Sequence, residues 1–412
     1  MLDIESVRKE FPILSTKIRG NSLCYLDNGA SAQKPRCVIE AVKRGYEFEY
    51  SNVHRGLHYL SNLATEKFES VREKICNFIG AASSEEVVFT SGTTEGLNLI
   101  AYAWAEKNLT EDDQIILSIA EHHSNIVPWH FLRERIGVQL KWVDTQPDGS
   151  LLAEDVISAM NEKTKLLSIT QMSNVLGSIV DVKRICTAAR EKNITSVVDG
   201  SQAIVHLPVN VLDIGCDFYV FTGHKLYGPS ASGALYIKKE RFEEMNPFLG
   251  GGSMINHVGR ENISYNVPPH KFEAGTPAIG EAIGMAEALK YLKKIGLENI
   301  NNWESKITGY LYQELQKIDG INILGPDPEK QPNRGALITF TVKNIHANDL
   351  AELLDSNGIC IRSGHHCCQP LHHHLSINAS ARASLSFTST THEIDIFIDE
   401  LISSINFLKE NS

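Results

Sequence analysis

From Leu23 to Ala286, short apolar, β-rich runs alternate with longer stretches of helical period. That alternation predicts a mostly parallel sheet with helices on both faces. The runs EVVFT, QIILSI, LKWVD, KLLSIT, TSVVDG and DFYVFTG read as strands, and most end in polar or small residues. In open α/β sheets ligands sit outside the carboxyl ends of the strands, so the residues just after these runs carry the most weight. Pro147-Asp148-Gly149 marks a strand-to-helix passage, and Gly250-Gly251-Gly252 breaks the chain after a helical stretch. Beyond about residue 290 the pattern becomes a helix, the strand ALITFTV, the helix ANDLAELLDSNG, the strand-like pieces ICIRS and RASLSF, and a terminal helix. Thr390 and Glu393 form a capping box for that last helix, and Ile394, Phe397, Ile398, Leu401 and Ile405 recur on one face. The expected division is an N-terminal segment (1–20) packing with the small domain, a large α/β domain (21–290) and a small α+β domain (291–412).

The length of 412 residues agrees with two domains, because it exceeds what one core usually organises. Hydrophobic residues at 42% and charged residues at 22% are ordinary for a globular protein. A formal charge of -11 argues against a nucleic-acid binder, which needs clustered Lys and Arg. No apolar run reaches membrane-spanning length, and the start MLDIESVRKEFPIL carries no recognisable targeting pattern, so a cytoplasmic location is expected. The 8 cysteines form no CxxC pair and read as reduced thiols.

Several runs could carry chemistry. In SGTTEG, Gly92, Thr93 and Thr94 sit where a strand passes into a helix; backbone N–H groups there suit a phosphate, although an ordinary capped turn reads the same way. EHHSN offers His122 as a base, a ligand or a flat stacking face. Asp199 and Gln202 end the most apolar strand in VDGSQA, and a carboxylate there needs a partner: a protonated ring nitrogen, an arginine or backbone amides. In TGHKLYGP, Thr222, His224 and Lys225 follow an apolar strand; a desolvated lysine there has the lowered pKa that Schiff-base chemistry requires, whereas a snorkelling lysine would not. RSGHHCCQPLHHHL gathers Arg362, His365, His366, Cys367 and Cys368. Adjacent ligands cannot all meet one tetrahedral ion, so no metal is expected, and a nucleophilic thiol in an electropositive loop is the alternative.

Together with NVHRGLH, SNVLG, GGGSMI, FEAGTP and ARAS, these segments make nearly the whole chain resemble the group II cysteine desulfurases, the SufS-like or selenocysteine-lyase-like branch of the class V, fold type I pyridoxal-phosphate enzymes. The resemblance implies the fold type I architecture and a cofactor, pyridoxal 5'-phosphate, bonded to Lys225. Asp199 would pair with its ring nitrogen, His122 would stack on the ring, and Gln202 would reach the phenolic oxygen. Thr93, Thr94, Thr222 and His224 would bind the phosphate, with Thr276 supplied by the other subunit of a homodimer. Asn174 and Arg382 would hold the substrate carboxylate, with His54, Arg55 and Arg362 around the substrate. It implies that L-cysteine becomes L-alanine, leaving a persulfide on Cys367 for an acceptor protein of the SufE or SufU kind, toward iron–sulfur cluster assembly. Selenocysteine lyase activity is the alternative on the same scaffold, and a non-enzymatic metal-binding or sulfur-carrier protein the remote one. Cys368 departs from the family pattern beside the nucleophile and is a candidate to accept or reduce the persulfide.

Overall fold

The computed structural model describes residues 3–331 and 334–411. Its main sheet has seven strands: β1 (Val87–Thr90), β2 (Gln114–Ser118), β3 (Gln139–Val143), β4 (Thr164–Thr170), β5 (Thr195–Asp199), β6 (Phe218–Thr222) and β7 (Gly233–Ile237), in the order β1-β7-β6-β5-β4-β2-β3. β7 runs antiparallel to both its neighbours, and the other pairings are parallel. Six strands therefore point their carboxyl ends at one edge of the sheet. The central strands are buried almost throughout because helices cover both faces. Alternate side chains enter two cores: Ile116, Leu167, Val198 and Phe221 on one face, Ile115, Leu117, Val197 and Val220 on the other. Only β3, at the sheet edge, keeps an exposed-and-covered alternation.

A second sheet of four antiparallel strands follows: β8 (Ile321–Leu324), β9 (Leu337–Val342), β10 (Arg362–Gly364) and β11 (Ser380–Ser384), ordered β8-β9-β11-β10. Helices Leu297–Gln316, Ala347–Ser356 and Thr391–Glu410 cover it around a third core. The terminal helix has the expected capping box at Thr390 and Glu393, and all five of its predicted apolar residues are buried. β7 and β8 lie outside the runs that read as strands, and β11 begins two residues before the RASLSF run.

Near the N-terminus, the Arg8 guanidinium grips both oxygens of Glu393 at 2.7 and 2.9 Å. Phe11 instead packs its ring edge-on against Tyr227, Tyr291 and Phe387. Cys24–Tyr25 pairs in parallel with Ile359–Cys360, which places Cys24 and Leu26 in the third core. Helix Ile279–Ile295 packs against Arg36–Arg44 and Tyr59–Ile79 beneath the main sheet and ends at Gly296, where the chain leaves for the second sheet.

Candidate active site

A cavity of about 320 Å³ opens where the main sheet's carboxyl edge meets the second sheet. Its walls come from the residues after β1 (Gly92, Thr93, Thr94), after β2 (His122), after β4 (Asn174), at and just after the end of β5 (Asp199, Gln202) and after β6 (His224, Lys225), together with Arg362, His366 and Arg382 from the second sheet and its loop. Eleven of the expected residues thus line one space: Thr93, Thr94, His122, Asn174, Asp199, Gln202, Thr222, His224, Lys225, Arg362 and Arg382.

Lys225 rides a tight turn: Gly223 donates its N–H to Ser232 O at 2.7 Å and accepts from Leu226 and Gly228, each at 2.9 Å. Any side chain at 223 would strike Ser232 Oγ, so only glycine lets the turn close. The carbonyl of His224 is held by Ala32 N–H at 3.0 Å and Lys34 Nζ at 3.2 Å. Asp199 Oδ1 accepts the N–H and the hydroxyl of Ser201 at 2.9 and 2.5 Å. Because that carboxylate can only accept, the Ser201 proton is committed to it, and Thr93 Oγ1, 2.6 Å away, must donate to Ser201. Gly92 adopts φ 151°, and a Cβ there would press on Thr222 Oγ1. His122 Nδ1 accepts the Ser124 N–H at 3.1 Å, which fixes the proton of the neutral ring on Nε2. Arg382 is buried; its Nη1 donates to Asn174 O at 2.9 Å and its Nη2 to Asp27 Oδ1 at 3.2 Å, while Nε has no partner among the described residues.

Of the cysteine loop, His366 lines this cavity, whereas Cys367 is not among its lining residues. Cys367 is exposed and Cys368 is fully buried, its Sγ donating to Ile119 O at 3.4 Å. His54 and Thr276 line a neighbouring cavity that shares Ser91 and Glu95 with the first, and Arg55 is exposed beside it. His54 is engaged there by Glu69, with Nε2 2.8 Å from Oε1.

The class-V aminotransferase family model matches residues 24–397. The chain belongs to that family. It is 44% identical over 406 residues to a probable cysteine desulfurase of Synechocystis, covering 98% of this chain and 96% of the relative. It is likewise 44% identical over 402 residues to a cysteine desulfurase of Escherichia coli K12, covering 97% and 98%. Among solved structures, the apo cysteine desulfurase of Thermococcus onnurineus NA1 superposes with a TM-score of 0.92 at 35% identity, covering 98% of each chain. The cysteine desulfurase CsdA of Escherichia coli superposes with a TM-score of 0.90 at 31% identity, covering 99% of each chain. The main sheet and the smaller second sheet are therefore the fold type I pyridoxal-phosphate architecture.

For a class-V enzyme the cavity suits its cofactor, pyridoxal phosphate. Burial lowers the Lys225 amine from its ordinary 10.5 to about 8, against the opposing pull of Asp199. Burial likewise holds His122 at about 3, helped by the Lys225 charge, and His224 at about 4, so both rings stay neutral. A carboxylate, an amine able to shed its proton, a flat neutral ring and the free N–H groups of a helix start are the donor set that a pyridine ring, an aldehyde and a phosphate require. Sequence reasoning did not single out Gly29, Ser124 or Ser201. Ser124 and Ser201 lay inside quoted motifs, but only folding brings Ser201 to Thr93, Ser124 to Thr94 (2.7 Å) and the Gly29 carbonyl to Gln202 Nε2 (2.8 Å).

Proposed function

We propose that this chain is a pyridoxal-phosphate-dependent cysteine desulfurase in which Lys225 carries the cofactor and Cys367 accepts the sulfur of L-cysteine. The carrying observation is that Lys225 and His366, the residue before Cys367, come from different sheets and line one cavity. Cys367 is close enough that its charge acts on both Lys225 and Arg382.

The residues divide the work. Arg382 and Asn174 would hold the substrate carboxylate, with Arg362 at the rim, 3.5 Å from Asp27. When bound, the cofactor supplies an electron sink for the charge released at the substrate's α-carbon. Asp199 would keep the ring nitrogen protonated, Gln202 would face the ring's phenolic oxygen, and Thr93, Thr94, Thr222 and His224 would hold the phosphate. His122 offers a flat face and a proton at Nε2. Lys225, with a pKa of about 8, has roughly a tenth of its amine uncharged at neutral pH and can take up and return the α-proton at Nζ. The Cys367 thiolate attacks the substrate sulfur, the C–S bond breaks, and alanine leaves after its β-carbon is protonated.

A homodimer fits this reading. Leu57, Tyr59 and Phe48 are 99%, 75% and 72% exposed on the segment flanking His54 and Arg55, a surface a second copy would cover while offering Thr276. An acceptor of the SufE or SufU kind, iron–sulfur cluster assembly as the sulfur's destination and a cytoplasmic location complete the proposal; among the described residues no helix is long and apolar enough to cross a membrane.

The test is mass spectrometry of the holoenzyme after incubation with L-cysteine. One added sulfur on the Cys367 peptide is expected, and none in Cys367→Ala. A protein that releases alanine without sulfur on that peptide would overturn the reading. Alanine release unchanged by every SufE or SufU type acceptor would remove the partner.

A further inference from the structure

Two consecutive non-glycine residues, His366 and Cys367, adopt φ 50° and 56°. Left-handed backbone at both is costly, of the order of 1–3 kcal/mol each, and persists only where the surroundings impose it. Here four successive residues are tied to the main-sheet domain. His366 O accepts Asn174 Nδ2 at 2.7 Å, Cys367 O accepts the His123 N–H at 2.7 Å, Cys368 Sγ donates to Ile119 O at 3.4 Å, and Gln369 N–H donates to His123 Nε2 at 3.1 Å.

The last of these bonds stands apart. Gln369 begins the helix Gln369–His374, whose preceding residue, Cys368, supplies no side-chain cap. The first N–H groups of a helix need an outside acceptor, and here an imidazole from the other domain provides one. His123 therefore holds the loop twice just after the Cys367 side chain, by its backbone N–H at the Cys367 carbonyl and by its ring at the Gln369 N–H. Its neighbour His122 lines the cavity, so one dipeptide joins the cofactor face to the thiol loop.

We infer that His123 is a positioning residue: its ring, by capping the helix after Cys367, keeps the thiol directed at the substrate sulfur, and loss of that cap releases the loop outward. This rests on reading Cys367 as the sulfur acceptor. The inference makes opposite predictions for the two half-reactions. Attack on bound substrate needs the loop docked, whereas reduction of the persulfide by an external thiol needs it accessible.

The holoenzyme, His123→Ala and His123→Gln are compared, each with its cofactor absorbance verified. A single turnover with L-cysteine measures persulfide formation on Cys367, and dithiothreitol then measures its removal. His123→Ala is expected to form persulfide about tenfold more slowly, a modest share of what a misplaced reacting group costs, and to lose it faster. His123→Gln, whose amide oxygen can accept the Gln369 N–H, is expected to recover most of the first rate. Persulfide formation at the native rate in His123→Ala overturns the inference, as does slowing of both half-reactions without recovery in His123→Gln. If the native chain takes no sulfur on Cys367, the functional reading itself fails, which is a different result from either.

Discussion

Burying an amine has a cost that can be measured without any substrate. Lys225 is partly buried in the cavity wall, and its pKa falls from 10.5 to about 8 mainly by desolvation. Unfolded chains bind the proton up to about 10.5, while the folded chain releases it from about 8. Between these values the unfolded state binds more protons, so folding stability rises with pH across that window. At 1.36 kcal/mol per pH unit the change amounts to about 3 kcal/mol. Below pH 8 both states are protonated and the penalty is fully present. Lys225→Met removes the titrating group, so urea unfolding of the cofactor-free native chain and this variant at pH 7, 8, 9 and 10 isolates the term. The variant's advantage should be largest at pH 7 and should decline by about 3 kcal/mol as pH approaches 10.5. Capture of added pyridoxal phosphate, followed by absorbance, should accelerate through a midpoint near 8 rather than 10.5. A stability difference independent of pH, or a capture midpoint above 10, would refute the claim that desolvation prepares this lysine.

Arg382→Met should lower kcat/KM for L-cysteine by about 30-fold or more, since losing a charge-assisted carboxylate contact costs about 2–3 kcal/mol; steady-state alanine release at saturating and sub-saturating substrate measures it. Asp199→Asn should leave the chain folded but push the Lys225 pKa further down, because the carboxylate that raises it is gone; the cofactor-capture midpoint should fall below 8. Thr390→Ala removes the capping box of the terminal helix and should cost about 1 kcal/mol in urea unfolding, with alanine release unaffected.

The sheet was legible where a strand buried on both faces centres on β-branched and aromatic residues: TSVVDG and DFYVFTG announce β5 and β6. β7, GALYI, was not singled out although it too is buried throughout, and its reversed direction leaves no trace in composition. β8 alternates in burial with only Leu324 buried and follows the long helix directly, so its signal is short. The site was legible as motifs after strands, because the strand ends dictate where those residues converge. The bonds between motifs were not legible: no local pattern says that Ser201 relays Thr93 to Asp199, or that His123 caps a helix some 240 residues later.

The adjacent cysteines show how neighbouring thiols acquire different chemistry. An acceptor of sulfur must meet both a thiolate form and an attacking partner, and exposure governs both. Cys367 is exposed. Cys368 has 0% of its surface exposed, packs with Ile119, Val175, Leu176, Leu324 and Leu371, and burial drives its thiol far above the ordinary range, with Glu121 adding to the effect. Such a sulfur behaves as a small apolar anchor, and its contact with the Ile119 carbonyl helps hold the loop down. Cys368→Ala should therefore leave sulfur on the Cys367 peptide at close to the native yield while costing about 1 kcal/mol of stability for the methyl-sized void. Mass spectrometry after proteolysis between the two cysteines would locate the added sulfur. A mass increment on Cys368 in the native chain, or persulfide lost from Cys367 only when Cys368 is present, would show that burial does not silence it.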